Sequence, residues 1–261
     1  MGESNNKENQ IINYHKLLSA ATDVGYMLLE NGAEIYRVEE SIQRILQAYG
    51  LKQVEVFAIP SCIIVTISTD IEKNITKTRR LYSRGTNFDK VEQANDLCRR
   101  ICTETPPVEH IQQELARIDG RPVYGTMTQI LAFGLVAFGF TLFFGGTFWD
   151  ALSATVIASA IKVVIHNMER FEANPFFVNI VASWITAFLA ILAVRYQLAQ
   201  NVDKMIIGTL MNLVPGVAIT NSMRDIIAGD LIAGLIKMTE ALMVATAIAI
   251  GTAMALAIIG G

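Results

Sequence analysis

Hydrophobic residues follow two different patterns along the chain, and these patterns divide it into two parts. In the first part, apolar residues recur every three or four positions, which is typical of amphipathic helices packed against a core. In the second part they form runs of the length that crosses a bilayer, about 20 residues. The boundary lies near residue 121, where Asp119-Gly120-Arg121-Pro122 predicts a turn.

The first part predicts a small α+β domain. Two helical stripes lie between residues 11 and 49, and Asn31-Gly32 separates them because both residues tolerate the left-handed backbone that ends a helix. Three segments rich in Val and Ile predict strands, and two further helical stripes follow: strands at residues 54–59, 62–68 and 76–82, helices at residues 88–104 and 108–118. The domain is assigned to residues 11–121, and the polar residues 1–10 are predicted to be disordered.

The second part, residues 122–261, predicts an all-α polytopic membrane domain of five transmembrane helices. Charge supports the division, since residues 1–125 hold 32 of the 45 charged side chains and residues 126–261 hold only 13. The fourth predicted span is shorter than the others and is interrupted. The spans are predicted at residues 127–146, 148–165, 176–194, 205–220 and 231–259.

Lys and Arg near the span ends predict the orientation, because loops on the cytoplasmic side carry an excess of these residues. With the N-terminal domain in the cytoplasm, the outer side carries only Arg195 and Lys204. The inner side then carries Arg117, Arg121, Lys162, Arg170 and Arg224. The polar N-terminus carries no signal peptide. We therefore expect a multi-pass protein of the cell membrane with its C-terminus outside.

Composition excludes several classes of function. Only 17% of the residues are charged, against about 25% in soluble domains, which argues against a wholly soluble enzyme. No basic patch indicates nucleic-acid binding, and no phosphate loop, nucleophile elbow or zinc-protease motif is present. Cys98 and Cys102 share a helix face, and a metal site would need His110 and a fourth ligand, so small buried hydrophobes are the favoured interpretation. Neither a cofactor nor a metal is expected.

The interrupted fourth span is the first candidate site. Pro215 lacks an amide hydrogen and Gly216 relaxes the backbone, so the helix should break after Asn212. A broken membrane helix exposes backbone groups that are tolerated where they line a cavity, and such breaks form substrate sites in transporters. The alternative is a simple proline kink.

A polar loop between the fourth and fifth spans is the second candidate. Asn221, Arg224 and Asp225 are concentrated there, and Asp230 stands where the N-cap of the fifth span is expected. Arg224 has two interpretations, a local salt bridge or an anion contact at an inner gate.

Charged residues inside the spans are the third candidate, because such charges are costly and usually functional. Lys237 and Glu240 share a face of the fifth span, although Lys237 could instead extend to the inner interface. Lys162 and Asp150, near opposite ends of the second span, are expected to reach the interfaces. Small residues repeat every four positions in the last span, for packing within this chain or against a second subunit: Ala247, Gly251 and Ala255.

In the first domain, the second helix opens with a dense group of charges. Glu34 and Glu39 could cap the helix or pair with Arg37, or these side chains could form a ligand or docking surface.

Together these residues resemble the threonine/serine exporter family in its split form, a cytoplasmic domain followed by five spans. The resemblance covers nearly the whole chain, and its segments keep the order of the family. They are residues 28–34 with Arg37 and Glu39, the strands around Pro60, residues 83–85 with Asn87, and residues 214–216 through Arg224-Asp225, Gly229-Asp230, Gly234 and Glu240-Ala241. Through this match, Arg84 joins Glu34, Arg37 and Glu39 as a candidate surface residue.

The resemblance implies export of small polar metabolites, threonine and serine or a short dicarboxylate such as succinate, driven by an ion gradient, with protons the expected ion. The resemblance also implies a partner for this chain, a small membrane protein similar to the C-terminal half of single-chain exporters. A homo-oligomer is also compatible with the small-residue face. Two rival hypotheses remain: a membrane-anchored sensor that binds a metabolite in its cytoplasmic domain, and a membrane-bound hydrolase.

Overall fold

The computed structural model describes residues 2–69, 74–82 and 84–259, and these residues form ten helices and three strands. In chain order the elements are α1 (Gly2–Glu30), α2 (Ile35–Ala48), β1 (Gln53–Ile59), β2 (Cys62–Ser68), β3 (Ile75–Arg80), α3 (Phe88–Glu104), α4 (Val108–Asp119), α5 (Thr126–Phe143), α6 (Phe148–Arg170), α7 (Pro175–Arg195), α8 (Val202–Leu210), α9 (Gly216–Ala228) and α10 (Leu231–Ile259).

The chain divides into two compact units. The N-terminal unit comprises the residues up to Pro122 together with Thr220–Lys237. The membrane unit comprises Val123–Ile219 together with the residues from Met238 onward. The first boundary lies beside the predicted one at residue 121. However, residues 220–237, which the sequence assigned to the membrane domain, group with the N-terminal unit.

The N-terminal unit is built on a three-stranded antiparallel sheet in the order β1-β2-β3. Ile59 pairs with Cys62, so Pro60 and Ser61 form a two-residue hairpin turn. Helices α1 to α4 bury their apolar stripes in one core cluster with the sheet. The sheet contributes the buried side chains of alternate residues, which are Ala58, Ile63, Val65, Ile67 and Ile75.

Helix α1 begins at Gly2 and ends at Glu30. This segment contains Glu3, Lys7 and Glu8, which are good helix formers, and it contains no proline. A helix nucleated on the core can therefore continue toward the N-terminus.

Four helices among the described residues are long and apolar enough to cross a membrane: α5, α6, α7 and α10. The predicted fourth span, residues 205–220, is not a continuous helix. Helix α8 ends at Leu210 and α9 begins at Gly216. The structure thus has four uninterrupted candidate spans where the sequence predicted five. The cause is Pro215, which cannot donate to the preceding turn and clashes with it.

Close helix packing in the membrane unit depends on small residues. A Cβ placed on Gly208 of α8 would lie 2.7 Å from the backbone nitrogen of Thr141 in α5. In α10, Ala247, Gly251 and Ala255 are buried, and a Cβ on Gly251 would lie 2.2 Å from the carbonyl oxygen of Ile180. Part of the predicted small-residue face is therefore used for packing within this chain.

We expect Gly208→Ala to destabilise the membrane unit by about 1–3 kcal/mol, because the backbone of α5 leaves no space for an added methyl group. Gly139→Ala is the matched control, since nothing lies within 4 Å of the Cβ position of this glycine in α5. Thermal unfolding of the purified protein in detergent measures the difference. Equal melting temperatures for the two variants would contradict the close α5–α8 contact.

Candidate functional site

The candidate site of the N-terminal unit starts at the turn between α1 and α2. Gly32 has a φ of +96°, and Ala33 N donates to Leu28 O at 3.0 Å, so the chain leaves α1 in a left-handed turn. Gly85 N donates to Glu30 O at 2.8 Å, which holds the loop before α3 against this turn. The turn therefore fixes where α2 begins and in which direction Glu34 points.

Helix α2 is capped by a residue far away in the sequence. Its N-cap residue Glu34 makes no side-chain cap bond, and the backbone nitrogen of Ile35 donates to Asp225 Oδ1 at 3.3 Å instead. Asp225 belongs to α9 and has no exposed surface. Its other oxygen, Oδ2, accepts from Lys237 Nζ at 2.7 Å. The carboxylate is thus held by a helix N-terminus and an ammonium group.

A second ion pair joins the same two segments. Arg224 donates to Glu34 Oε1, and Arg37 Nε lies 2.9 Å from Glu34 Oε2. Asn221 Nδ2 donates to the carbonyl oxygen of Gly32 at 3.3 Å. Four residues predicted for transport, Asn221, Arg224, Asp225 and Lys237, therefore lie beside two residues predicted for the cytoplasmic surface, Glu34 and Arg37. The partner of Arg224 is therefore a residue of the first elements of the chain and not a neighbour in its own loop.

Glu39 and Asp230 lie at the edge of this ionic cluster. Glu39 Oε1 accepts from Ala58 N at 2.7 Å, which attaches α2 to β1. Burial raises the pKa of Glu39, and the negative charge of Asp230 raises it further. Burial also raises the pKa of Asp230, which stands directly before α10, and the Asp225 carboxylate adds to this shift. Arg84 lies in the loop before α3 and is exposed.

The predicted break lies in the membrane unit. Residues 211–215 separate α8 from α9, and Asn212 Nδ2 donates at 3.2 Å both to Phe133 O in α5 and to Thr209 O. The Asn212 side chain thus holds this turn against α5. Glu240, three residues after Lys237, is exposed on α10 and belongs to the membrane unit. The predicted transport residues are therefore divided between the two units.

The role of Asp150 was not predicted from the sequence. Its side chain was expected to reach an interface, but Asp150 is fully buried at the start of α6. Its carboxylate accepts five hydrogen bonds, from Thr147 N and Oγ1, Gln200 N, and Asn201 N and Nδ2. The Thr147-to-Asp150 spacing of a capping box was the available signal. The two loops on this side of the unit are joined by one carboxylate.

Cys98 and Cys102 of α3 pack with the core of the N-terminal unit. Cys98 is buried, its thiol donates to Ser41 O at 3.7 Å, and burial raises its pKa to about 11. It therefore stays protonated at neutral pH and packs as a small apolar side chain. Among the described residues, no group of three or more His, Cys, Asp or Glu side chains could hold a metal ion.

Four apolar helices, joined to a polar α+β unit, define a multi-pass membrane protein. A family model described as a putative threonine/serine exporter matches residues 19–259. The chain belongs to the threonine/serine exporter family, which confirms the resemblance inferred from its sequence. No solved structure matches it.

Three relatives illustrate the range of the family. The chain is 22% identical over 244 residues to a probable threonine/serine exporter of Mycobacterium tuberculosis and 21% identical over 245 residues to the threonine/serine exporter of Corynebacterium glutamicum. These matches cover 92% and 91% of this chain but 46% and 50% of the relatives, so the chain spans about half their length. It is 26% identical over 239 residues to a probable succinate transporter subunit, YjjP, of Klebsiella aerogenes, covering 89% of this chain and 90% of that one. These relatives are named as transporters, not as enzymes.

We expect Asp225→Asn to lower the free energy of unfolding by about 3 kcal/mol, because the substitution leaves the Lys237 ammonium without its carboxylate. Lys237→Met should cost a similar amount, and the double variant should cost less than the sum of the two single variants. Urea titration of the full chain in detergent, followed by circular dichroism, gives the coupling energy. The exposed pair Asp96–Arg99 is the control cycle, for which we expect at most about 0.5 kcal/mol. Additive effects at Asp225 and Lys237 would contradict a buried ion pair.

Glu39→Gln should remove a pH dependence of stability. Because the native pKa of Glu39 is raised, its proton stabilises the fold fully below the ordinary value of 4.5, and this contribution is lost as the pH rises through the native pKa. Gln keeps an acceptor for Ala58 N without carrying a charge. We expect the melting temperature of the variant, relative to the native protein, to rise as the pH increases above about 4.5. Glu40→Gln, on the exposed face of the same helix, is the control. A constant difference for Glu39→Gln would disprove the shift.

Proposed function

We propose that this chain is one subunit of a secondary-active exporter of small polar metabolites. The observation that carries the proposal is the match to the exporter family model over residues 19–259. The YjjP relative, which this chain matches over nearly its whole length, is itself named a subunit. The partner would be a small membrane protein similar to the C-terminal half of single-chain exporters.

We propose that the chain crosses the cell membrane five times, with a broken fourth crossing. Pro122 and Thr220 belong to the same unit, and three uninterrupted spans, α5, α6 and α7, lie between them. With the N-terminal unit on one side of the membrane, as proposed, the chain returns within residues 196–219. Helix α8 covers about 13.5 Å at 1.5 Å per residue, nearly half of a hydrocarbon core of about 30 Å. The excess of Lys and Arg on one side favours a cytoplasmic N-terminal unit and an outer C-terminus.

The substrate path is proposed to pass the break formed by Asn212, Pro215 and Gly216, where backbone groups leave the helical pattern. Residues 220–237 follow this break and carry the ion pairs of Arg224, Asp225 and Lys237. These pairs are proposed to act as an inner gate, because a substrate carboxylate near Arg224 or Lys237 competes with Glu34 or Asp225. Asp225 and Glu240 are the proposed proton-relay residues for coupling to a proton gradient.

A second candidate function is metabolite sensing by the N-terminal unit. A cavity of about 520 Å³ lies between α2 and α3, and its lining includes three guanidinium groups, of Arg37, Arg44 and Arg99, and two carboxylates, of Glu40 and Glu92. Arg37 also pairs with Glu34, so an anion in this cavity would act on the ionic cluster. Because residues 220–237 complete this unit, calorimetry with the full chain is the appropriate test. Absence of binding by any amino acid or dicarboxylate would remove this candidate.

The exporter is tested by flux in proteoliposomes that hold the chain alone or with its candidate partner, loaded with labelled threonine, serine or succinate. We expect flux that requires both the partner and a pH gradient, and the labelled compound then identifies the substrate class.

Glu240→Gln should insert normally and abolish gradient-driven export, because the amide cannot carry a proton. Asp203→Asn, which alters an exposed carboxylate paired with Lys204, is the control. No flux from correctly inserted protein with its partner would reject the exporter, and normal export by Glu240→Gln would reject the relay.

A further inference from the structure

Lys162 carries a charge on α6, a helix apolar and long enough to cross a membrane. It lies eight residues before Arg170, the last residue of α6, which is about 12 Å along the helix axis. Helical side chains tilt toward the N-terminus of their helix, so Lys162 leaves the backbone toward the middle of α6 and away from the nearer end. The position of this side chain at an interface stays a prediction.

The Lys162 ammonium contacts an aromatic side chain of α5. Its Nζ lies 5.6 Å from the centroid of the Phe133 ring. Phe133 is seven residues from the start of α5, about 10 Å along the helix, so the ammonium lies beside the interior of a second span. Within the described chain, no carboxylate oxygen is found within 4.0 Å of this nitrogen. The face of an aromatic ring attracts a cation but does not neutralise it.

The same phenylalanine connects Lys162 to the broken helix. The carbonyl oxygen of Phe133 accepts the hydrogen bond from Asn212 Nδ2, so α5, α6 and the turn after α8 converge on one residue. The Thr209 hydroxyl at the end of α8 is buried and has no hydrogen-bond partner among the described residues, and the same holds for the Thr141 hydroxyl of α5. Other membrane threonines, such as Thr155 and Thr186, donate to the carbonyl four residues earlier. A buried hydroxyl without a protein partner is rare, and it can bind a water molecule or a polar ligand.

We propose that Lys162 binds the carboxylate group of the transported solute beside the turn at residues 211–215, with the Asn212 and Thr209 side chains as polar neighbours. The inference rests on the proposed export function and assigns the anion contact to the membrane unit. Arg224 and Lys237, the cations expected from the sequence, already hold Glu34 and Asp225. Among the described residues no carboxylate holds Lys162, and an uncompensated ammonium in a span is costly unless it acts on an anion.

Binding tests the proposal directly. The purified full chain in detergent would be titrated with labelled succinate, serine and threonine, which separates a dicarboxylate from an amino acid. We expect Lys162→Gln and Lys162→Met to weaken binding of the preferred compound by about tenfold or more, and Lys162→Arg to retain most of it. Lys204→Gln is the matched control, because Lys204 lies in the membrane unit and pairs with Asp203. Wild-type affinity in Lys162→Gln, or no binding of any of the three compounds by the native chain, would overturn the proposal.

Amine labelling of the native chain tests the contact between Lys162 and the carboxylate without a variant. The preferred carboxylate at saturating concentration should slow acetylation of Lys162 about tenfold and leave Lys204 unchanged, as read by mass spectrometry. Equal acetylation of Lys162 with and without ligand would refute the contact. Binding and flux together distinguish the Lys162 site from the export function. Lys162-dependent binding without flux rejects the exporter and keeps the site, whereas gradient-driven flux with an unchanged KM in Lys162→Gln rejects the site and keeps the exporter.

Discussion

The N-terminal unit depends on how one buried carboxylate is neutralised. Asp225 has no exposed surface, and removing such a charge from water costs several kcal/mol. The backbone amide at the start of α2 and the Lys237 ammonium offset that cost, and they come from segments 190 and 12 residues away in the sequence. A stretch of chain that follows the broken helix is thereby fixed to the first α+β elements. Breaking either contact leaves a buried charge, so the pair makes residues 220–237 part of this unit.

The membrane unit handles its charges in two contrasting ways. Asp150 accepts five hydrogen bonds and so connects two loops, which accounts fully for its burial. Lys162 contacts an aromatic ring, and a cation–π contact is worth about 0.5–2 kcal/mol, but no carboxylate pairs with it among the described residues. The fold therefore satisfies the first charge with hydrogen bonds, whereas the described residues offer the second only the face of a ring. This difference distinguishes a structural residue from a candidate binding residue.

Local patterns in the sequence predicted much of this fold. Helical spacing located α2, α3 and α4, the Val- and Ile-rich segments located the strands, and Pro215 located the break. What the sequence could not show was contact between distant segments. Nothing in the spacing of Arg224 and Asp225 indicates Glu34 and the amide of Ile35 as their partners. Likewise, the depth of Lys162 depends on its helix direction and on Phe133 in another helix, and neither is visible in the periodicity of one span.

The proposed site also accounts for the range of names among the relatives. Two are named for threonine and serine and one for succinate, and the group that these three compounds share is a carboxylate. One ammonium beside a broken helix recognises that group whatever the rest of the molecule carries. Selection between an amino acid and a dicarboxylate must then come from the groups that surround the other end of the solute.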